Sequence, residues 1–130
     1  MYEATTRSIR VRVEPTFIDE QSDPDKSRYF WAYTIDIANA GKETVQLRSR
    51  YWRITDGRGR VEEVRGPGVI GETPVLKPGE SFRYTSGCPL TTPSGIMGGR
   101  YQMVTDQGTP FEIDIPTFSL DLPHVRQSVN

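Results

Sequence analysis

The sequence is poor in the residues that usually announce chemistry. It holds one cysteine, Cys88, and one histidine, His124, among 130 residues. A single cysteine forbids an intrachain disulfide and so excludes a disulfide-stapled secreted scaffold. One imidazole and one thiol cannot assemble a site for a soft metal, and no cofactor is implied by the residues. No stretch approaches the ~20 apolar residues of a membrane span, and Met1–Arg7 has no apolar leader core. These absences predict a cytoplasmic chain without membrane insertion. An excess of one charge is also lacking, since 16 Lys+Arg meet 17 Asp+Glu for a net −1 and a pI near 5.8. Nucleic-acid-binding domains usually carry a strongly basic footprint, so nucleic acid is not an expected partner. Gly and Pro supply 12 and 10 residues, and no apolar i, i+3, i+4, i+7 run of useful length occurs.

What is present is alternation. Ile9, Val11 and Val13 alternate with Arg10 and Arg12, the period-2 pattern of a half-buried strand. Trp31, Tyr33, Ile35 and Ile37 fall on one face of the segment Tyr29–Asn39. Val45 and Leu47 share one parity, whereas Trp52 and Ile54 take the other, which predicts a β-bulge or sheet crossing near Arg48–Arg50. Asp56-Gly57-Arg58-Gly59 is a hairpin signal before a charged strand, Arg60–Arg65. Lys77-Pro78-Gly79-Glu80 suits a type II turn. Further alternation follows at Phe82 and Tyr84, Tyr101 and Met103, Phe111, Ile113 and Ile115, then Phe118, Leu120 and Leu122. The expected fold is all-β, an antiparallel sandwich of seven to eight strands in a single domain over residues 1–130. Its core runs from about residue 7 to 122, with a tail from Pro123. Asp19–Ser27 and Pro89–Gly99 read as long loops.

Gly66-Pro67-Gly68-Val69-Ile70-Gly71 is a literal G-x-G-x-x-G. In a dinucleotide-binding fold those glycines open a helix whose N-terminus receives pyrophosphate. Here Pro74 and Pro78 follow closely and exclude that helix. A weaker version remains: Gly66, Gly68 and Gly71 as an anion nest, with Arg60 and Arg65 supplying charge. The alternative is a plain glycine-rich strand connection where backbones pack closely.

Other constellations have bland readings beside the functional ones. Arginine supplies thirteen of the sixteen basic residues, and Arg48, Arg50, Arg53, Arg58, Arg60 and Arg65 crowd one 18-residue span. Guanidinium forks suit phosphate or carboxylate, but Arg48 and Arg50 equally read as solvated strand residues paired with neighbouring acids. The acidic loop Asp19–Asp25 offers oxygen ligands to Mg²⁺ or a similar cation, although no EF-hand spacing is present and a solvated loop is the plainer reading. Cys88 and His124 make a nucleophile pair conceivable, yet a lone cysteine usually behaves as a small buried hydrophobe. Glu62 and Glu63 are adjacent on a strand and point to opposite faces. No catalytic set is found, so an enzyme is not expected. Phe30 lies on the face opposite Trp31 and Tyr33, where it is either covered by a loop or part of a recognition patch.

The chain resembles the ApaG family. The resemblance runs from about Ile9 to Leu122 and is carried by several colinear blocks. They are Arg28-Tyr29-Phe30-Trp31-Ala32-Tyr33-Thr34, Arg50-Tyr51-Trp52-Arg53-Ile54-Thr55-Asp56-Gly57, Gly66–Gly71, Leu76-Lys77-Pro78-Gly79-Glu80, Tyr84-Thr85-Ser86-Gly87 and Phe111–Pro116. The resemblance implies an immunoglobulin-like, fibronectin type III-like sandwich. It also implies a small bacterial cytosolic protein, often encoded beside a diadenosine tetraphosphate hydrolase, with a family link to cobalt resistance and magnesium efflux. Related domains are appended to F-box proteins and to a polymerase-delta-interacting protein, where they are thought to bind partners. The family's glycine motif, suggested to bind nucleotide or pyrophosphate, maps onto Gly66, Gly68 and Gly71. No family catalytic residues carry over.

Two expectations follow. The first is a non-catalytic interaction module that docks a protein partner. The second is a nucleotide or polyphosphate sensor at Gly66–Gly71. Edge strands of an open sandwich can also pair between chains, which makes a homodimer compatible with the fold.

Overall fold

Nine strands and two short 3-10 turns account for the regular structure of the protein, a computed structural model that describes residues 1–123. The strands are β1 (Tyr2–Thr6), β2 (Ile9–Phe17), β3 (Tyr29–Asn39), β4 (Val45–Asp56), β5 (Val61–Pro67), β6 (Val75–Leu76), β7 (Ser81–Leu90), β8 (Gly95–Thr105) and β9 (Pro110–Leu120). They form two antiparallel sheets, one in the order β1-β2-β3-β7 and the other β5-β4-β8-β9, with β6 beside β4. This is the expected β-sandwich and is compatible with the immunoglobulin-like arrangement. Among the described residues, no helix is long and apolar enough to cross a membrane.

Alternation places the core. Ile9, Val11 and Val13 of β2 and Trp31, Tyr33, Ile35 and Ile37 of β3 turn inward and are buried. They meet Leu47, Trp52, Met97, Tyr101, Met103, Ile113 and Phe118 of the other sheet. Trp52 and Phe118 pack edge to face with centroids 6.0 Å apart, and Tyr33 meets Trp52 at 5.4 Å. The predicted phase switch in β4 is real: register against β8 shifts between Leu47 and Ser49, which lets Leu47 and Trp52 face the same core. Gly79 takes φ +88° in the Lys77–Glu80 turn, where the Glu80 amide donates to the Lys77 carbonyl at 2.9 Å.

Three expectations change. The sandwich has nine strands, because β1 alternates only half-buried Tyr2, Ala4 and Thr6 and its sequence signal is weak. Pro89–Gly99 is not a long loop: β7 continues to Leu90 and β8 begins at Gly95. Glycines disguised β8. A Cβ at Gly99 would run into the Tyr51 carbonyl, so the residue that argues against a strand is the one close strand packing requires. Asp19–Ser27 folds into two 3-10 turns, Asp19–Gln21 and Pro24–Lys26. The Ser22 hydroxyl fastens them, donating to the Ile18 carbonyl (2.8 Å) and accepting from the Phe30 amide (3.0 Å). The expected tail, from residue 124 on, and His124 with it, lie outside the described residues.

Candidate docking site

The two long sides of the sandwich differ. On one, β1 and β2 pack against β9, and hydrogen bonds join them. The Asp114 amide donates to Thr6 Oγ1 (3.1 Å) and the Ser119 amide to the Tyr2 hydroxyl (3.3 Å). On the other side the edge strands are β5 and β7, and no comparable packing joins them. That side stays open as a groove. Its wider part has a volume of about 700 Å³ and is lined by apolar Tyr29, Phe30, Ile54, Val61 and Leu90, with Arg28 and Arg60 at the rim. Its narrower part, about 290 Å³, runs over Arg50, Trp52 and Val64 to Tyr33, Ser86 and Cys88. Ile54, Glu62 and Pro89 line both parts, so the groove is continuous.

Period-2 geometry decides what β5 shows the groove. Glu62, Val64 and Gly66 sit opposite Ile54, Trp52 and Arg50 of β4 and share their inward face. At Gly66 there is no side chain, and Arg50 takes the space: a Cβ there would lie 3.0 Å from both terminal guanidinium nitrogens. Arg50 Nη1 donates to the carbonyls of Pro67 and Gly68, each at 3.0 Å. Arg50 therefore does not sit on a solvated face, contrary to the plain strand reading, because the bulge between Leu47 and Ser49 turns it inward with Trp52.

A polar layer lies beneath. The Tyr84 and Tyr101 hydroxyls bond at 2.5 Å inside the core. Desolvation pushes both phenols upward, and Tyr33 likewise, with the Arg50 charge opposing the shift in all three. Burial also raises the Cys88 thiol to about 11, with the Glu62 carboxylate adding to the shift. Cys88 is accordingly a neutral thiol near pH 7 and the buried small hydrophobe its context predicts.

The glycine motif builds a tight turn. Val69 and Glu72 exchange both backbone hydrogen bonds, at 2.9 and 2.8 Å, around Ile70 (φ +43°) and Gly71 (φ +79°). Both central residues have positive φ, the signature of a type I′ turn. Gly68 takes φ +59° and its amide donates to the Arg48 carbonyl at 2.8 Å. The Val69 and Glu72 amides are thus committed within the loop and the Gly68 amide to β4. Arg60 lies at the opposite end of β5 from Gly66, about 20 Å away at strand spacing, and rims the groove instead. Arg65 stands on the outer face, stacked 4.7 Å over the Tyr51 ring and 3.7 Å from Glu63. The proposed anion set is therefore not brought together, and the six clustered arginines divide between the groove, the hairpin tip and the outer face.

The remaining candidates resolve as follows. Phe30 lies over Gly87 of β7, whose Cβ would collide with its ring, and it is half-buried and lines the groove together with Gln21 and Ser27 of the adjoining 19–27 segment. Tyr51, between Arg65 and Arg100 (4.7 and 4.9 Å), donates its hydroxyl to Glu63 at 2.6 Å. That bond raises the Tyr51 phenol and lowers the Glu63 carboxyl. Among the described residues, no three His, Cys, Asp or Glu side chains converge as a cation site, and the acidic loop supplies none. Reasoning from sequence missed Arg50 as a groove residue. Its signal was available in the parity it shares with Trp52 and Ile54.

Relatives agree with this architecture. The ApaG domain matches residues 19–105. Protein ApaG of Brucella anthropi is 62% identical over 130 residues, covering 100% of both chains, and Protein ApaG of Methylorubrum extorquens (strain PA1) is 63% identical over the same span. The crystal structure of the ApaA protein from Bordetella pertussis superposes with a TM-score of 0.89 at 50% identity, covering 93% of this chain and 98% of that one. A second X-ray structure, a structural-genomics target, gives 0.86 at 42% identity, covering 94% and 92%. With a family match over most of its length and full-length relatives at this identity, the chain belongs to the ApaG family.

Proposed function

We propose that this chain is a non-catalytic docking module that receives a protein partner along the open side between β5 and β7. The observation that carries the reading is the groove itself. One side of the sandwich is sealed by β1, β2 and β9, whereas the other leaves apolar Ile54, Val61, Val64 and Leu90 accessible between two edge strands. Burying one leucine-sized partner side chain there contributes about 1.5–3 kcal/mol. Strand edges supply backbone groups that an extended segment can pair with. In this reading the family link to cobalt resistance and magnesium efflux acts through the docked partner and not through a cation held by this chain.

The test compares capture from cytosol by the native chain and two arginine variants. Val64→Arg places a charge in the groove, while Val104→Arg places one on the outer face of β8. A partner recovered by the native chain and by Val104→Arg, but lost with Val64→Arg, supports the reading. Equal recovery by all three contradicts it.

A further inference from the structure

We infer that the outward edge of β5 is self-complementary and pairs antiparallel with β5 of a second copy of this chain. The hydrogen-bond pattern sets which groups are free. The Asp56 amide donates to the Arg60 carbonyl (2.9 Å) and the Gly68 amide to the Arg48 carbonyl (2.8 Å), so the even-numbered residues of β5 bond to β4. In an antiparallel ladder the alternate residues, Val61, Glu63 and Arg65, then aim their N–H and C=O groups away from β4, and Pro67 at the end of the strand offers a C=O alone. The β7 edge follows the same rule. The Asn39 amide donates to the Glu80 carbonyl (2.9 Å), so even residues of β7 bond to β3, and Pro89 falls on the outward row without an N–H to offer. Each edge thus carries one outward proline, and what singles out β5 is the order of charge about its centre, Glu63 and Arg65 flanking Val64.

Charge then selects the register. With Val64 opposite Val64 of the second copy, Glu63 lies opposite its Arg65, and Arg65 opposite its Glu63. These two positions also exchange the free backbone bonds. On the inner face Glu62 lies opposite the second copy's Gly66, the bare position over which Arg50 spreads its guanidinium. Among the described residues, neither Glu62 nor Arg50 has an ion-pair partner within one chain, and this register gives each one. Sliding by two residues sets Glu63 against Glu63, or Arg65 against Arg65, and like charges directly opposite are destabilising. The sequence Glu62-Glu63-Val64-Arg65-Gly66 is therefore complementary to itself about Val64, as a two-fold interface requires. The Glu63 and Arg65 side chains are 49% and 70% exposed, and the 3.7 Å contact they make with each other within one chain would be exchanged for the two between chains. A five-residue edge contact is smaller than the ~1,200–2,000 Å² of a stable interface, so the dimer is concentration-dependent.

This pairing does not depend on the docking reading, and it stands or falls on oligomeric state. The experiment is sedimentation equilibrium of the native chain, Glu63→Arg, Arg65→Glu, and an equimolar mixture of the two variants, each checked for native circular dichroism. The native chain is expected to show a rising average mass with concentration, reduced by added salt. Each variant alone sets like charges opposite and loses at least tenfold in association. The mixture sets Arg against Glu at both positions and recovers a dimer. A native chain that stays monomeric over the whole soluble range overturns the inference. Variants that associate as well as the native chain, or a mixture that does not recover association, overturn it equally.

Discussion

Arg50 lies with its guanidinium over Gly66, and from there it holds the two carbonyls that follow, Pro67 and Gly68. One side chain thus anchors the start of the glycine loop and floors the narrow part of the groove. Replacing it exposes two carbonyls to a poorer set of donors. Arg50→Ala is expected to cost about 1.5–3 kcal/mol, the range for hydrogen bonds to a charged group. The urea midpoint measures this, and a loss under about 0.5 kcal/mol would mean water replaces the guanidinium freely.

The glycine loop is expected to behave as a structural turn. Gly68→Ala combines positive φ with a collision against the Glu72 carbonyl, so it should unfold or strongly destabilise the chain. Gly71→Ala meets open space and carries only the left-handed penalty of about 1–2 kcal/mol. Ile70, β-branched, exposed and at φ +43°, already bears such a penalty, so Ile70→Gly should raise stability by about 1 kcal/mol. Amide-resolved titration with ATP, diadenosine tetraphosphate and pyrophosphate checks the sensor alternative. The amides of Gly68, Val69 and Glu72 are expected not to move, and saturable shifts there would favour that alternative.

Buried Tyr84 and Tyr101 share one hydrogen bond and should respond as a unit. Tyr101→Phe leaves the Tyr84 hydroxyl without its partner and is expected to cost about 1–3 kcal/mol. The double variant Tyr84→Phe/Tyr101→Phe removes both polar groups and should recover part of the loss. A double-mutant cycle reads the coupling, and strict additivity would show the bond contributes nothing.

Alkaline pH should unfold the chain through groups held neutral by burial. The Cys88 thiol rises from 9.0 to about 11 on folding, and the phenols of Tyr33, Tyr84 and Tyr101 rise above 10.0. A raised pKa means that the folded state binds more protons, so this stability is complete below pH 9 and is lost as pH climbs toward and beyond about 11. Urea midpoints at several pH values between 8 and 11 should fall steadily. Alkylation of Cys88 at pH 8 should be slow in the native chain and rapid in denaturant; equal rates would place the thiol at the surface.

The strand parity of β2, β3 and β4 was legible because apolar and polar residues alternate there without interruption, and the Leu47 bulge showed itself as a change of phase. The first half of β8 was not, since Gly95, Gly98 and Gly99 suppress the apolar signal while serving close packing against Thr55, Thr117 and Tyr51, whereas Tyr101 and Met103 showed its second half. The groove was half legible. Arg50 could be placed inward from its parity with Trp52, but the openness of one side depends on which edge strands meet, and local pattern does not encode that. The glycine motif was legible as a non-helical loop from Pro74 and Pro78, but its local pattern did not show that the Val69 and Glu72 backbone groups close a tight turn around Ile70 and Gly71.

The most direct test of the docking account is site-specific photo-crosslinking in living cells. A benzoylphenylalanine placed at Val61 or Thr91 samples the groove, and one at Glu3 or Glu112 samples surfaces away from it. The account predicts a discrete protein adduct from Val61 and Thr91 and none from the other two. Adducts that form from Glu3 or Glu112 while the groove positions stay silent would contradict it.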